Sequence, residues 1–201
     1  MNELKNLYSK NESDIKKRLE EFAKFHSASK EDLFIELCYC LCTPMSNARK
    51  VFEVINFKNK QLLIHGTIDE LKRLLRGHAR FHNNKAAYIF EARKKTDLLK
   101  QLPKNVCIAR HFLVNNFKGL SFKEASHFLR NIGYRNIAII DGHIIDSLYE
   151  FGITKHKNRP SNEKEYLWFE DQMRVFARTT GIDVDELDLL LWFRKTRIIL
   201  K

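Results

Sequence analysis

Lys123 and Asp141 are the residues of this chain whose types and spacing point most directly to chemistry. Both lie in the run Lys118–Asp141, KGLSFKEASHFLRNIGYRNIAIID. Ser121 and Glu124 stand in S-x-x-E spacing, the reciprocal arrangement that satisfies free amides at a helix start. With Ser121 as N-cap, Lys123 becomes the second helical residue, where the positive end of the helix dipole disfavours a protonated amine. Asp141 opens DGHIIDSLYEFG and is a natural N-cap of the next helix. A lysine able to lose its proton near a carboxylate that stays charged is what covalent imine chemistry requires. The segment by itself fits a solvated surface lysine and an ordinary capping aspartate better.

The elements that would carry these residues are helical throughout. Ser13 is expected to start a helix through Phe25. Ser29 with Asp32 caps EDLFIELCYCLC, whose Leu33, Leu37 and Leu41 share one face. Pro44 forces a turn before SNARKVFEVI, and Thr67 with Glu70 forms a second capping box. Gly77 is a C-cap candidate, and Pro103 can open the helix containing Val106 and Leu113. Gly119 turns the chain into the Lys123 helix, and Gly133 ends it. Ser161 opens a helix to about Arg178, and Asp183 with Glu186 caps the last one. Roughly ten short helices joined by short loops make an all-α chain. No repeat is visible, and TKHKNRPSN (residues 154–162) reads as an exposed basic loop.

Composition narrows the partners. The sequence holds 36 Lys+Arg against 25 Asp+Glu, a formal charge of +11. Such an excess suits a polyanion, through phosphate neutralisation and counterion release. No apolar run approaches the ~20 residues needed to cross a bilayer. The segment MNELKNLYSKNESD lacks the apolar core of a signal peptide, so an intracellular protein is expected. Cys38, Cys40, Cys42 and Cys107 have no histidine pair at zinc spacing. They read as reduced core cysteines.

The stretch KEASHFLRN (residues 123–131), followed by AIIDGH (residues 138–143) with Asp141 eighteen positions after Lys123, resembles the helix-hairpin-helix DNA glycosylases. Within them it resembles the archaeal-type (type 2) 8-oxoguanine DNA glycosylase/lyases. ELCYCLCT (residues 36–43), residues 77–81 with 86–89, and ELDLLLWFRKTRIILK (residues 186–201) fit in the same order. The resemblance implies a two-lobed helix-hairpin-helix fold with the active site in the cleft between lobes. Middle helices would form one lobe and the N- and C-terminal helices the other, with the hairpin at about residues 107–131. It implies a monomer acting on double-stranded DNA containing 8-oxoguanine, without metal or other cofactor. Some relatives carry an iron–sulfur cluster on cysteines near the C-terminus; no cysteine follows Cys107 here.

The same resemblance assigns roles. Lys123 would attack C1′ of a flipped nucleotide, and Asp141 would stabilise positive charge developing on the sugar. Phe81 and Trp192 would sandwich the base, and Lys201, nine residues beyond Trp192, would assist discrimination. Lys118, Gly119 and Ser121 would approach a phosphate at the hairpin turn, and Arg80 would contact a phosphate or enter the gap left by the base. Two positions depart from the family pattern: Ser121 stands where glycine is usual, and Gly142 where a long basic residue is usual. His127 and His143 flank the pair but are not needed by a lysine mechanism, and Asp146 does not match the motif. Two other readings keep the same segment: the same class acting on another oxidised base or an abasic site, and a non-catalytic DNA-binding module.

Overall fold

The computed structural model describes residues 2–199. Among them it contains no β-strand, and the chain forms two compact units. One comprises Phe25–Ile132; the other joins Met1–Lys24 to Gly133–Lys201. The expected final residue, Lys201, lies outside the described residues.

The Phe25–Ile132 unit is assembled around α2, Lys30–Cys42. Ser29 caps it, its hydroxyl accepting from the Asp32 N–H at 3.1 Å. The sequence pattern shows one leucine face, yet every residue from Leu33 to Cys42 is buried. The cause is position: α2 packs against α3 (Ala48–Val54), α4 (Lys60–His65), α6 (His82–Arg93), α8 (Phe122–Asn131) and the 3-10 turn Thr96–Lys100. A helix surrounded by others is apolar all round. Its one acidic interior residue, Glu36, accepts from Asn131 Nδ2 at 2.7 Å, tying α2 to the end of α8. Two further helices complete the unit: α5, Ile68–Leu75, begins on the Thr67–Glu70 capping box, and α7, Val106–Asn116, packs on α8.

The other unit comprises α1 (Asn2–Lys24), α9 (Gly142–Glu150), α10 (Glu163–Thr180) and α11 (Val184–Thr196). Both α1 and α9 pack on α11, and α10 contacts α9 and α11. Between Ile132 and α9 the chain runs non-helical through Ile137–Ile140, all buried. Buried backbone N–H groups need acceptors, and no strand supplies them. Carboxylates from α10 and α11 do so. Asp185 accepts from Asn136 N (2.8 Å) and Ile137 N (3.1 Å). Glu170 accepts from Ala138 N at 3.3 Å and Asp188 from Ile139 N at 2.9 Å. The Tyr166 hydroxyl accepts from Ile140 N and donates to Ala138 O. This segment delivers Asp141 to the start of α9.

Several sequence expectations need correction. The first helix starts at Asn2 rather than Ser13, because Leu4 shares the buried stripe of Ile15, Leu19 and Phe22. Asn105 rather than Pro103 starts α7, its side chain accepting from Ile108 N. Asn162 caps α10, while Ser161 donates to Glu165. Asp183 precedes α11 without a side-chain cap, and Glu186 instead accepts from the Tyr8 hydroxyl. Arg76, not Gly77, is the C-cap of α5, with Gly77 following in the left-handed region at φ +80°. Cys38, Cys40 and Cys42 are buried as expected, but Cys107 is exposed on the first turn of α7.

Asp185→Ala removes two buried acceptors at once. It should lower unfolding free energy by about 1.5–3 kcal/mol in urea titration, with amide exchange at Ile137 accelerated in the folded state.

Candidate active site

The hairpin of α7 and α8 turns through Phe117–Ser121. Phe117 and Leu120 are buried and anchor the turn, leaving Lys118 and Gly119 exposed between them. Gly119 has φ +95°, and a Cβ there would run into the Tyr88 ring. Glycine is therefore required twice over, by backbone conformation and by the ring beneath it. Ser121 caps α8 as the spacing predicts. The Glu124 carboxylate accepts from the Ser121 backbone N–H at 3.2 Å and from its hydroxyl.

Lys123 is the second residue of α8, with 30% of its side chain exposed. Its Nζ lies 2.9 Å from Glu124 Oε1. In this unit the carboxylate in contact with the amine is that of the next residue, Glu124. Neighbouring residues on a helix do not face each other by default, so spacing gave no signal for the pair. Glu124 itself is buried, and its carboxyl is held below the ordinary glutamate value. Burial works against ionisation, but the Lys123 amine and the donations from Ser121 outweigh it. The amine must leave this ion pair before it can act as a nucleophile. Residues Glu124 to Asn131 are all buried, so α8 is held by the core on nearly its whole length.

Phe81 and Arg80 sit together where the chain enters α6. Phe81 is 55% exposed and adopts φ +58°, ψ +37°. A non-glycine residue held there costs about 1–3 kcal/mol and persists only where its surroundings fix it. The Arg80 guanidinium lies over the Phe81 ring at 5.2 Å. The Arg80 N–H donates to Ser46 Oγ at 2.8 Å, and the buried Lys85 amine donates to the same oxygen at 2.7 Å. Lys85 is buried with Ala86, Ile89 and Ala92 on α6, and a lysine among such apolar positions is the one sequence signal of its role.

In the other unit Asp141 is partly buried and caps α9, Oδ1 accepting from Ile144 N at 2.9 Å. The cap engages Oδ1 alone, leaving Oδ2 its lone pairs. A Cβ on Gly142 would come within 3.1 Å of Arg159 Nη2, so a guanidinium from the basic loop already lies over this position. That loop is exposed from Lys155 to Arg159, as expected, with Thr154 buried. Trp192 is half-buried in α11, and His143 and Asp146 are exposed on α9. In the Phe25–Ile132 unit His127 is buried with its ring edge-on to Tyr39 at 5.6 Å.

A helix hairpin with a lysine in its second helix is thus joined, in one all-helical chain, to an aspartate that caps α9. A family model described as 8-oxoguanine DNA glycosylase matches residues 15–182. The chain belongs to the 8-oxoguanine DNA glycosylase family. A member from Fusobacterium nucleatum subsp. nucleatum, named 8-oxoguanine DNA glycosylase/AP lyase, is 37% identical, the alignment covering 100% of this chain and 97% of that protein. One of the same name from Korarchaeum cryptofilum is 36% identical over 93% of this chain and 90% of its own. Among solved structures, the Methanocaldococcus jannaschii 8-oxoguanine glycosylase/lyase in complex with a 15mer DNA containing 8-oxoguanine superimposes with a TM-score of 0.90. Identity there is 33%, and both chains are covered fully. The 8-oxoguanine DNA glycosylase of Thermotoga maritima gives a TM-score of 0.90 at 32% identity, over 100% of this chain and 97% of that one. The helix-hairpin-helix glycosylase fold expected from the sequence is the fold of this chain. Among the described residues, no helix is long and apolar enough to cross a membrane.

Because the Glu124 pKa is lowered on folding, its ionic contribution is complete above about pH 4.3 and is lost as pH falls through the lowered value. Glu124→Gln should therefore cost about 1–3 kcal/mol at pH 7. In paired denaturation curves the gap from wild type should close toward pH 3; a gap that stays constant would show that the charge is not its source.

Proposed function

We propose that this chain is a bifunctional glycosylase/lyase that excises 8-oxoguanine from DNA and then nicks the strand. The observation that carries the reading is Lys123: an amine with part of its side chain exposed, on the second residue of the hairpin's second helix, whose backbone the buried α8 fixes. Near full-length similarity to proteins named for this activity supports it.

In this reading the nucleotide is first extruded, since C1′ within a duplex is out of reach of a side chain. Lys123, released from Glu124 and deprotonated, attacks C1′. The C1′–N9 bond breaks, its electron pair leaves with the base, and the base takes up a proton. Asp141 Oδ2 stabilises the positive charge developing on the sugar. The adduct passes a nitrogen proton to O4′ as the ring C1′–O4′ bond opens, giving a protonated imine and a free hydroxyl. Loss of a C2′ proton then expels the 3′ phosphate by β-elimination, and water hydrolyses the imine to free Lys123. Protons and side chains suffice for each step.

The remaining sites are part of the same proposal. Phe81 and Trp192 hold the flipped base, with Lys201 assisting discrimination. The turn at Lys118, Gly119 and Ser121 and the Arg80 side chain meet phosphates. Ser121 narrows the approach to the turn compared with glycine. Arg159, over Gly142, stands ready to supply the cation that position 142 lacks.

Borohydride trapping on end-labelled duplexes tests the reading. Wild type should give a covalent adduct on DNA with one 8-oxoguanine, and none on undamaged DNA. Lys123→Gln should abolish the adduct with DNA affinity within about threefold, since charge elsewhere dominates phosphate binding. Asp141→Asn should slow base release by about 100-fold or more. Trapping confined to an abasic duplex would keep Lys123 as a lyase residue and discard 8-oxoguanine as substrate. Binding without any adduct would leave a non-catalytic module.

A further inference from the structure

Phe81 has a counterpart in the Phe25–Ile132 unit. Met45 also adopts a left-handed conformation, φ +56°, and is 61% exposed. Two exposed apolar residues, each held in a conformation costly for its type, need a common reason to stay there. The hydrogen bonding between their loops supplies one. Ser46, next to Met45, accepts from the N–H of Arg80, next to Phe81, at 2.8 Å. The two residues therefore flank the ends of one short hydrogen bond.

Lys85 secures that bond from below. It is 4% exposed, and its Nζ donates to Cys42 O (2.7 Å), Pro44 O (2.6 Å) and Ser46 Oγ (2.7 Å). Three ammonium donors meet three acceptors, all within Cys42–Ser46. The Ser46 hydroxyl faces Pro44 O in turn, at 3.3 Å. Burial pushes the Lys85 pKa down and nearby Lys123 adds to this, while Cys42 and Glu124 oppose it. Burying an amine only to hold one loop is expensive; holding two loops that present apolar side chains to solvent gives it a purpose.

We propose that Lys85 is a positioning residue: through Ser46 its amine locks the Met45 and Phe81 loops into one preset apolar clasp for an unstacked nucleobase. This rests on the reading that the chain extrudes a base. A nucleobase suits the clasp because an aromatic face and a thioether both pack on π surfaces. The Arg80 guanidinium over Phe81 adds the positive charge that a nucleic acid requires.

The test compares full-length wild type, Lys85→Met, Ser46→Ala and Ser46→Thr in two single-turnover assays. One follows release of 8-oxoguanine from a duplex. The other follows borohydride trapping on a preformed abasic duplex, which has no base to clasp. Lys85→Met and Ser46→Ala should each slow base release by about 10-fold, the scale of one lost stacking contact. Abasic trapping should stay within about twofold, and Ser46→Thr, which keeps the hydroxyl, should restore base release. If Lys85→Met fails to fold, Ser46→Ala carries the comparison, since it leaves the amine both carbonyls. Equal slowing in both assays would overturn the proposal. So would a displaced pH profile of abasic trapping in Lys85→Met, which would mean that Lys85 acts on Lys123 rather than on the loops. Wild type that traps abasic DNA but releases no base would overturn it together with the substrate reading; wild type inert in both assays would remove the function itself.

Discussion

A backbone segment buried without a sheet partner must find acceptors for its N–H groups, and this requirement organises the unit that carries Asp141. Ile137–Ile140 are apolar enough to be drawn inside, but their amides cannot go unpaired there. Asp185, Asp188 and Glu170 reach in from α10 and α11 to accept them. These carboxylates are costly to bury unpaired; the amides supply part of their pairing, and Glu170 also pairs with Arg174 at 3.1 Å. Segment and helices therefore fix each other. Asp141, at the end of the segment, inherits that rigidity and adds its own cap to α9.

The Phe25–Ile132 unit reaches a comparable result by other means. There α8 is buried from Glu124 onward, and only its first turn reaches the surface. Glu124 sits where the helix enters the core and links Ser121, the turn and Lys123. One residue thus completes the helix start and holds the lysine in its resting position. In the proposed reaction this contact has to open before the amine can attack. Nearby, Lys85 fixes backbone carbonyls and Ser46 instead of a carboxylate. The two lysines therefore play opposite parts: one is buried and fully satisfied, the other is accessible and bound by a single ion pair.

Ser121 and Gly142 acquire physical content in the same way. Serine at 121 caps α8 and donates its hydroxyl to Glu124, a hydrogen bond glycine cannot make. Glycine at 142 leaves space over which the Arg159 guanidinium lies, placing a positive charge from the following loop beside the α9 start.

The sequence by itself determined the all-helical class, most helix starts, the hairpin turn and the positions of Lys123 and Asp141. These follow from local chemistry: caps, glycine turns and apolar spacing act over a few residues and are visible in a short window. The early start of α1 was hidden because one long stripe, not a local cap, defines it. Tertiary structure alone decided that α2 would be buried all round, that Glu124 would pair with Lys123, and that Asp185 and Asp188 would serve amides nearly fifty positions away. It also decided that Lys85 would hold a loop about forty residues before it. Such contacts depend on which elements pack together, and a side chain's partner across the fold leaves no periodic trace in the chain that carries it.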